Sequence, residues 1–304
     1  MSAEKVRVAV EGRELALSNL DKVLYPDVGV TKGQVLEYYT RIAPALLPHL
    51  RYRPLTFKRY PDGVAGKSFF EKNTPSHAPE WVRSVPLPTP GSTKDRSRTT
   101  FTICDDLPTL IWAANLAVLE FHVPMWQVDS RGRAQPPDLM VFDLDPGPPA
   151  TVVECCQVAL AVRAALAEDG LLAYPKTSGS KGLQLYAGLA PERPWEDLHS
   201  YARTLAQRLE RERPDLVVWN MKKALRTGKV LLDWSQNNSA KTTVAAYSLR
   251  ARPEPTVSTP VTWAEVEACE APADLRFTYG QTLARVAEHD DLLAPLVGAV
   301  QHLP

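Results

Sequence analysis

The chain has 304 residues, 44% of them hydrophobic, with 35 basic and 35 acidic side chains and a formal net charge of zero. That length supplies one large domain or two small ones, and the charge balance argues against a protein that coats nucleic acid by bulk attraction while leaving room for local basic stripes. No run reaches the roughly 18 apolar residues of a membrane span, and the charged start MSAEKVRVAV has no secretory h-region, so a cytoplasmic protein with no membrane partner is expected.

Residues 4–17 read as a hairpin turning at Glu11-Gly12. Thr31 with Gln34 has the capping-box form. A helix should start there and run to about Ala43, where Pro44 would end or kink it. Residues 54–60 read as a strand, and residues 61–98, rich in Gly, Pro, Ser and charge, as long surface loops. Asp105, Asp106 and Pro108 announce a second helix carrying LIWAANLAVLEF. A short apolar strand over 139–143 ends at DLDPGPP, and Thr151 with Glu154 opens a helix to about Glu168. Strands over 171–177 and 183–186 flank the loop SGSKG; a helix over 195–211 and strands near 216–219 and 230–234 follow. After Arg252 come prolines and then short helices. Helices and strands mix without βαβ alternation, which predicts an α+β fold of largely antiparallel sheets flanked by helices, in one domain over 1–304.

Four cysteines, Cys104, Cys155, Cys156 and Cys269, form no CxxC pair and read as buried small hydrophobes, not zinc ligands. Two windows, 51–60 (RYRPLTFKRY) and 221–229 (MKKALRTGK), each hold four basic residues and no acid. Either is a solvated face when taken alone.

In VFDLDPG, strand alternation puts Asp143 and Asp145 on one face. Two carboxylates so close repel unless a cation lies between them, and magnesium or manganese suits oxygen ligands that leave room for phosphate. A DxD alone is also what an exposed strand end carries. Asp233, at the end of the apolar run KVLLD, would be a third carboxylate, as two ions require more oxygens than one DxD provides. The loop SGSKG lets backbone N–H groups approach a phosphate and adds the charge of Lys181, although it lacks P-loop spacing and could be a plain hairpin turn. Phe69-Phe70 are adjacent aromatics in a polar stretch, suited to stacking on a base or to anchoring the loop. His122, alone in EFHVPMW, would most simply be a satisfied, partly buried side chain.

Taken in order, LSNLDKVLYP, TKGQVLEYY, RPLTFKRYPDG, FFEKNTPSHAPEW, EFHVPMW, FDLDPG, KTSGSKGLQLY, KALRTGKVLLDWSQN and KTTVAAYSLR make a specific pattern. The chain resembles the polymerase domain of the bacterial end-joining ligase D, in the archaeo-eukaryotic primase superfamily. The resemblance covers about residues 12–255, leaving 256–304 as a C-terminal extension. It implies template-directed addition of nucleotides to a primer 3′ end at broken or gapped DNA with a downstream 5′-phosphate, with ribonucleotides preferred. By the resemblance, Asp143 and Asp145 hold two Mn2+ or Mg2+ ions and Asp233 binds the one that activates the primer hydroxyl. Ser178 and Lys181 grip the triphosphate, with Lys58, His122 and Arg226 lining the nucleotide pocket and His122 near the ribose 2′-OH. Phe69 and Phe70 stack on the template, and Lys22 and Lys32 contact the 5′-phosphate. Gln236, Asn237 and Lys241 are weaker candidates. The implied partners are DNA, NTP or dNTP, a DNA ligase and an end-binding protein, in a nucleoid-associated bacterial setting.

The departure is Gln184, where the family usually has histidine; glutamine donates a hydrogen bond to phosphate but carries no charge. Two rival readings stand beside this one. A metal-dependent phosphatase would have Thr or Val after the second Asp, where this chain has Pro146. A non-catalytic DNA-end-binding module would need Lys22 and Lys32 but none of the three aspartates.

Overall fold

The structure, a computed structural model, describes residues 5–89 and 97–304. Two sheets carry the fold. A five-stranded sheet has the order Tyr174–Thr177, Leu183–Gly188, Leu139–Pro146, Val230–Asp233, Val217–Val218; a four-stranded sheet has the order Thr243–Val244, Val118–Val123, Thr56–Arg59, Phe69–Glu71. All pairings in both are antiparallel except that of Val217–Val218 with Val230–Asp233. The expected α+β class with largely antiparallel sheets is therefore what the chain adopts.

Strand alternation divides the apolar side chains between two cores. Met140, Phe142, Leu144, Leu183 and Leu185 face away from the second sheet and pack with helices Val152–Glu168 and Trp195–Glu212. Phe57, Leu119 and Phe121 pack on the outer side of the four-stranded sheet with helices Lys32–Leu50 and Leu107–Asn115, as in the edge-on contacts of Tyr39 with Phe121 and Phe57 with Trp112. Several of the remaining alternate positions are polar: Lys58, Glu120 and His122 on one sheet, Asp143, Lys176 and Gln184 on the other, beside the apolar Val118, Leu139 and Val141. They lie between the sheets, which Tyr186 Oη ties together by donating to Thr243 Oγ1 over 2.7 Å.

Three expectations are corrected. The first helix runs through Pro44 and Pro48 to Leu50. A proline inside a helix costs about 3 kcal/mol, which the burial of Tyr38, Tyr39, Ile42, Ala43, Leu46 and Leu50 along one face offsets. The second helix stops at Asn115 and does not carry LAVLEF: Ala117 has φ of 61° and the chain then enters strand Val118–Val123, placing His122 on a strand. The 61–98 region contains strands Phe69–Glu71 and Ser84–Pro88 where loops were expected, while its residues 90–96 lie outside the described ones. The remaining capping boxes, at Thr31 and Thr151, form as read. In the C-terminal extension, residues 256–304, Val257, Leu293 and Leu296 enter one core and Val261, Val266 and Leu275 the other. The four cysteines are free and buried.

Candidate active site

Asp143 and Asp233 are direct cross-strand partners, and Asp145 lies two residues along from Asp143 on the same face. Burial, the Asp145 charge and the Asp233 charge raise the Asp143 carboxyl to about 7, against the pull of a hydrogen bond from Gln184. Asp145 is also raised, by the protein crowded around its carboxylate and by Asp233, although its surface is exposed and Arg226 and Arg250 pull the other way. Oxygen-only donors that repel one another this strongly fit a hard divalent cation, whose charge relieves the repulsion. Among the described residues, no three His, Cys, Asp or Glu side chains stand close enough together to enclose an ion. Asp233 Oδ1 accepts from Ser235 N (2.9 Å) and Oγ (2.7 Å), and its Oδ2 accepts from Gln236 Nε2 (3.1 Å).

Close backbone approach frames this site. A Cβ on Gly182 would stand 2.0 Å from the Leu144 carbonyl oxygen, and one on Gly147 would stand 1.9 Å from that of Arg226. Glycine alone therefore lets the SGSKG loop and the basic 221–229 segment lie against the DLDPG strand. Ser178 Oγ accepts from Ser180 N (3.2 Å) and Gly182 N (3.1 Å), which leaves its own proton for an acceptor. Lys181 is exposed and has no ion-pair partner among the described residues. Arg226 Nε is buried without a hydrogen-bond partner, while its Nη2 donates to the Met221 carbonyl over 2.7 Å.

On the facing sheet, Glu120 is the hub. Its buried carboxylate meets His122 Nε2 at 3.0 Å, Arg250 Nε at 3.4 Å and Lys58 Nζ at 3.8 Å, and accepts from Ala251 N at 3.1 Å. Burial alone would raise its carboxyl, but the His122 bond and the surrounding cations hold it at about 2. His122 is held below its ordinary value, burial outweighing Glu120. With Glu120 ionised, Nε2 carries the imidazole proton and Nδ1 is left as an acceptor. Phe70 stands edge-on to His122 at 5.5 Å, under Lys58 Nζ at 5.4 Å. Phe69 points to the other face, with the Arg59 guanidinium 5.3 Å from its ring. Both rings are exposed, by 45% and 54%, but only Phe70 belongs to the Lys58–His122 group.

Lys22 and Lys32 lie apart from that group. Lys32 is buried at the first turn of helix Lys32–Leu50, its Nζ donating to the Ser18 carbonyl over 2.6 Å, and burial plus the Lys22 charge lower its pKa to about 8. Lys22 is paired with Asp62 over 3.0 Å.

The chain matches the family described as LigD, primase-polymerase domain, over residues 31–293. It belongs to the LigD primase-polymerase family. Membership makes it a nucleotidyltransferase and sets aside the phosphatase and the non-catalytic readings. The family's multifunctional non-homologous end joining protein LigD from Mycolicibacterium smegmatis is 46% identical over 281 residues, covering 92% of this chain and 36% of that protein. The bifunctional LigD of Bacillus subtilis is 33% identical over 274 residues, covering 90% and 42%. The chain thus spans well under half the length of these relatives. The solved polymerase domain of Mycobacterium tuberculosis ligase D, in complex with DNA, superposes with a TM-score of 0.87 at 42% identity, covering 94% of this chain and 99% of that one.

Measured against the residues expected from sequence, the LigD-type fold gathers Asp143, Asp145, Asp233, Ser178 and Arg226 at one sheet and Lys58, His122 and Phe70 at the other. Two expectations change. Asn237 is fully buried, and its Oδ1 accepts from Val141 N (2.8 Å) while its Nδ2 donates to Val141 O (2.7 Å), so it extends the sheet like a strand partner and does not face a ligand. Gln184 is also buried; its amide donates to Asp143 Oδ1 over 3.1 Å and accepts from Lys176, so it is spent on protein groups and not aimed at a phosphate. Gln236 is bound to Asp233 and Lys241 is exposed. Glu120, Lys176, Arg250 and Arg252 went unread. Arg250 Nη1 donates to the Ser178 carbonyl over 2.5 Å, and Arg252 Nη2 to Ser180 Oγ, bracing the loop from a segment 72 residues away. The one available signal was position: Glu120 precedes FHVPMW and Arg250 closes KTTVAAYSLR.

Proposed function

We propose that this LigD-type domain adds nucleotides to a primer 3′ end on a DNA template at breaks or short gaps bearing a downstream 5′-phosphate, in end-joining repair. The observation that carries the reading is the register of Asp143 against Asp233 with Asp145 alongside, two of the three carboxyls raised by burial and then by mutual repulsion, facing the Lys58–His122–Phe70 group. Asp143, Asp145 and Asp233 would hold two divalent ions, Mn2+ or Mg2+, which when bound offset charge on phosphate and polarise it. The protein's own residues do the positioning. Ser178, Lys181 and Arg226 offer a hydroxyl, an ammonium and a guanidinium to a triphosphate. His122 Nδ1, free to accept, suits the proton of a ribose 2′-OH and favours ribonucleotides. Phe70 offers an exposed ring to an unpaired template base.

The Lys22–Lys32 pair is the proposed 5′-phosphate site. Two like charges, one buried at a helix N-terminus, gain from an anion between them. DNA and NTP or dNTP are thus the direct ligands; a DNA ligase and an end-binding protein are the macromolecular partners proposed from the relatives' end-joining names. No helix among the described residues is long and apolar enough to cross a membrane.

The test is templated extension on a gapped duplex with a downstream 5′-phosphate, in manganese, with each class of nucleotide. Wild type should extend, incorporating ribonucleotides faster, and Asp143→Ala and Asp145→Ala should not. Equal extension by those variants would refute the carboxylate reading, and faster use of deoxyribonucleotides would refute the His122 contact.

A further inference from the structure

Among the described residues, Lys176 is the one lysine buried at 1% exposure in the space between the two sheets. As an ammonium its Nζ has one proton for each of three acceptors: Gln184 Oε1 at 2.5 Å, Ser258 Oγ at 2.6 Å and the Val244 carbonyl at 3.1 Å. The roles are forced. Ser258 spends its own proton on the Thr177 carbonyl over 2.8 Å, so toward Lys176 it can only accept. Burial lowers the Lys176 pKa to about 7, against the pull of Asp143; in its ammonium form Nζ cannot accept, so the Gln184 atom facing it is then the oxygen. Tyr186 Oη lies on the same oxygen, at 3.3 Å. With Oε1 held there, Nε2 must point the other way, and it donates to Asp143 Oδ1 over 3.1 Å. Turning the amide over would set N–H against ammonium at one end and oxygen against carboxylate at the other.

We propose that Lys176 is a positioning residue of the carboxylate site: through Gln184 it presents an N–H to Asp143 Oδ1, fixing the carboxylate plane and directing Oδ2 into the cleft between the sheets. Lys176 touches neither DNA nor nucleotide. Its effect passes through one amide whose two ends are chemically unlike. This rests on the reading of Asp143 as a catalytic carboxylate.

The chemistry supplies its own rescue. An imidazole at position 184 can move its proton to whichever nitrogen faces a carboxylate, so it needs no ammonium behind it to set its direction. Lys176→Met should therefore be harmful with Gln184 and tolerated with histidine.

The experiment compares wild type, Lys176→Met and the double variant Lys176→Met/Gln184→His, all as the full chain. The first readout is hydrogen exchange of the Gln184 side-chain amide by NMR in metal-free protein. Exchange should be slow in wild type and faster by about tenfold or more in Lys176→Met, the effect of losing one net hydrogen bond. The second is templated extension. Lys176→Met should lower kcat by about tenfold with the KM for nucleotide unchanged, and the double variant should recover most of the loss. A freely exchanging Gln184 amide in wild type overturns the proposal even if Lys176→Met does not fold. So does a folded Lys176→Met with wild-type kcat, or a folded double variant as impaired as the single one. Should wild type itself fail to extend, the proposed function falls, and the amide exchange still decides whether Lys176 sets the Gln184 direction.

Discussion

Asp143→Asn should stabilise the metal-free protein, and do so only above acid pH. The asparagine keeps an Oδ1 that accepts from Gln184 Nε2 and removes the charge. Carrying the Asp143 carboxyl from an ordinary 3.8 to about 7 corresponds to about 4 kcal/mol of native-state cost once the group is ionised. Asp145 and Asp233 share that cost and their side chains relax when one charge goes, so about 2 kcal/mol is expected at pH 7.5. The sign follows from linkage. A carboxyl raised on folding contributes stability that is fully present below its unfolded pKa, near 4, and that drains away as pH rises through about 7. Thermal unfolding in chelator should therefore give equal midpoints for wild type and Asp143→Asn near pH 4. At pH 7.5 the variant should lead by about 4 °C for a chain of this size. Added manganese should reverse the order, because wild type gains ligand-linked stability that the variant largely lacks. A variant less stable than wild type at pH 7.5 in chelator, or a difference independent of pH, would refute the reasoning.

Three further outcomes are expected. Lys22→Ala combined with Lys32→Ala should abolish the preference for a 5′-phosphorylated over an unphosphorylated gap, a loss of about tenfold or more for a charge-assisted contact, read by fluorescence anisotropy; an unchanged ratio would remove that site. Phe70→Ala should weaken gapped-DNA binding by about 1–3 kcal/mol as one stacked base is lost, whereas Phe69→Ala, on the opposite face, should cost less in the same titration. Asn237→Leu should lower stability in urea by about 3 kcal/mol, since it strips both backbone partners from Val141, and an unchanged denaturation midpoint would show that the strand does not depend on that clamp.

Local chemistry was legible from the chain itself. Capping boxes at Thr31 and Thr151, the hairpin at Glu11-Gly12 and the strand carrying Asp143 and Asp145 depend on residues a few positions apart, so spacing alone determines them. The joining of Asp143 to Asp233 was legible only as two acids ending apolar runs, and strand pairing supplied the contact. What the sequence could not determine depends on distant partners. Burial of one helix face carries Lys32–Leu50 through two prolines that local preference alone would read as stops. The direction of the Gln184 amide depends on Lys176, and that lysine in turn on Ser258, 82 residues away. Gln184 therefore passed for a phosphate donor in sequence and is a relay in the fold. Hydrogen-bond direction between buried groups is decided by every neighbour at once, and those neighbours exist only when the two sheets face each other.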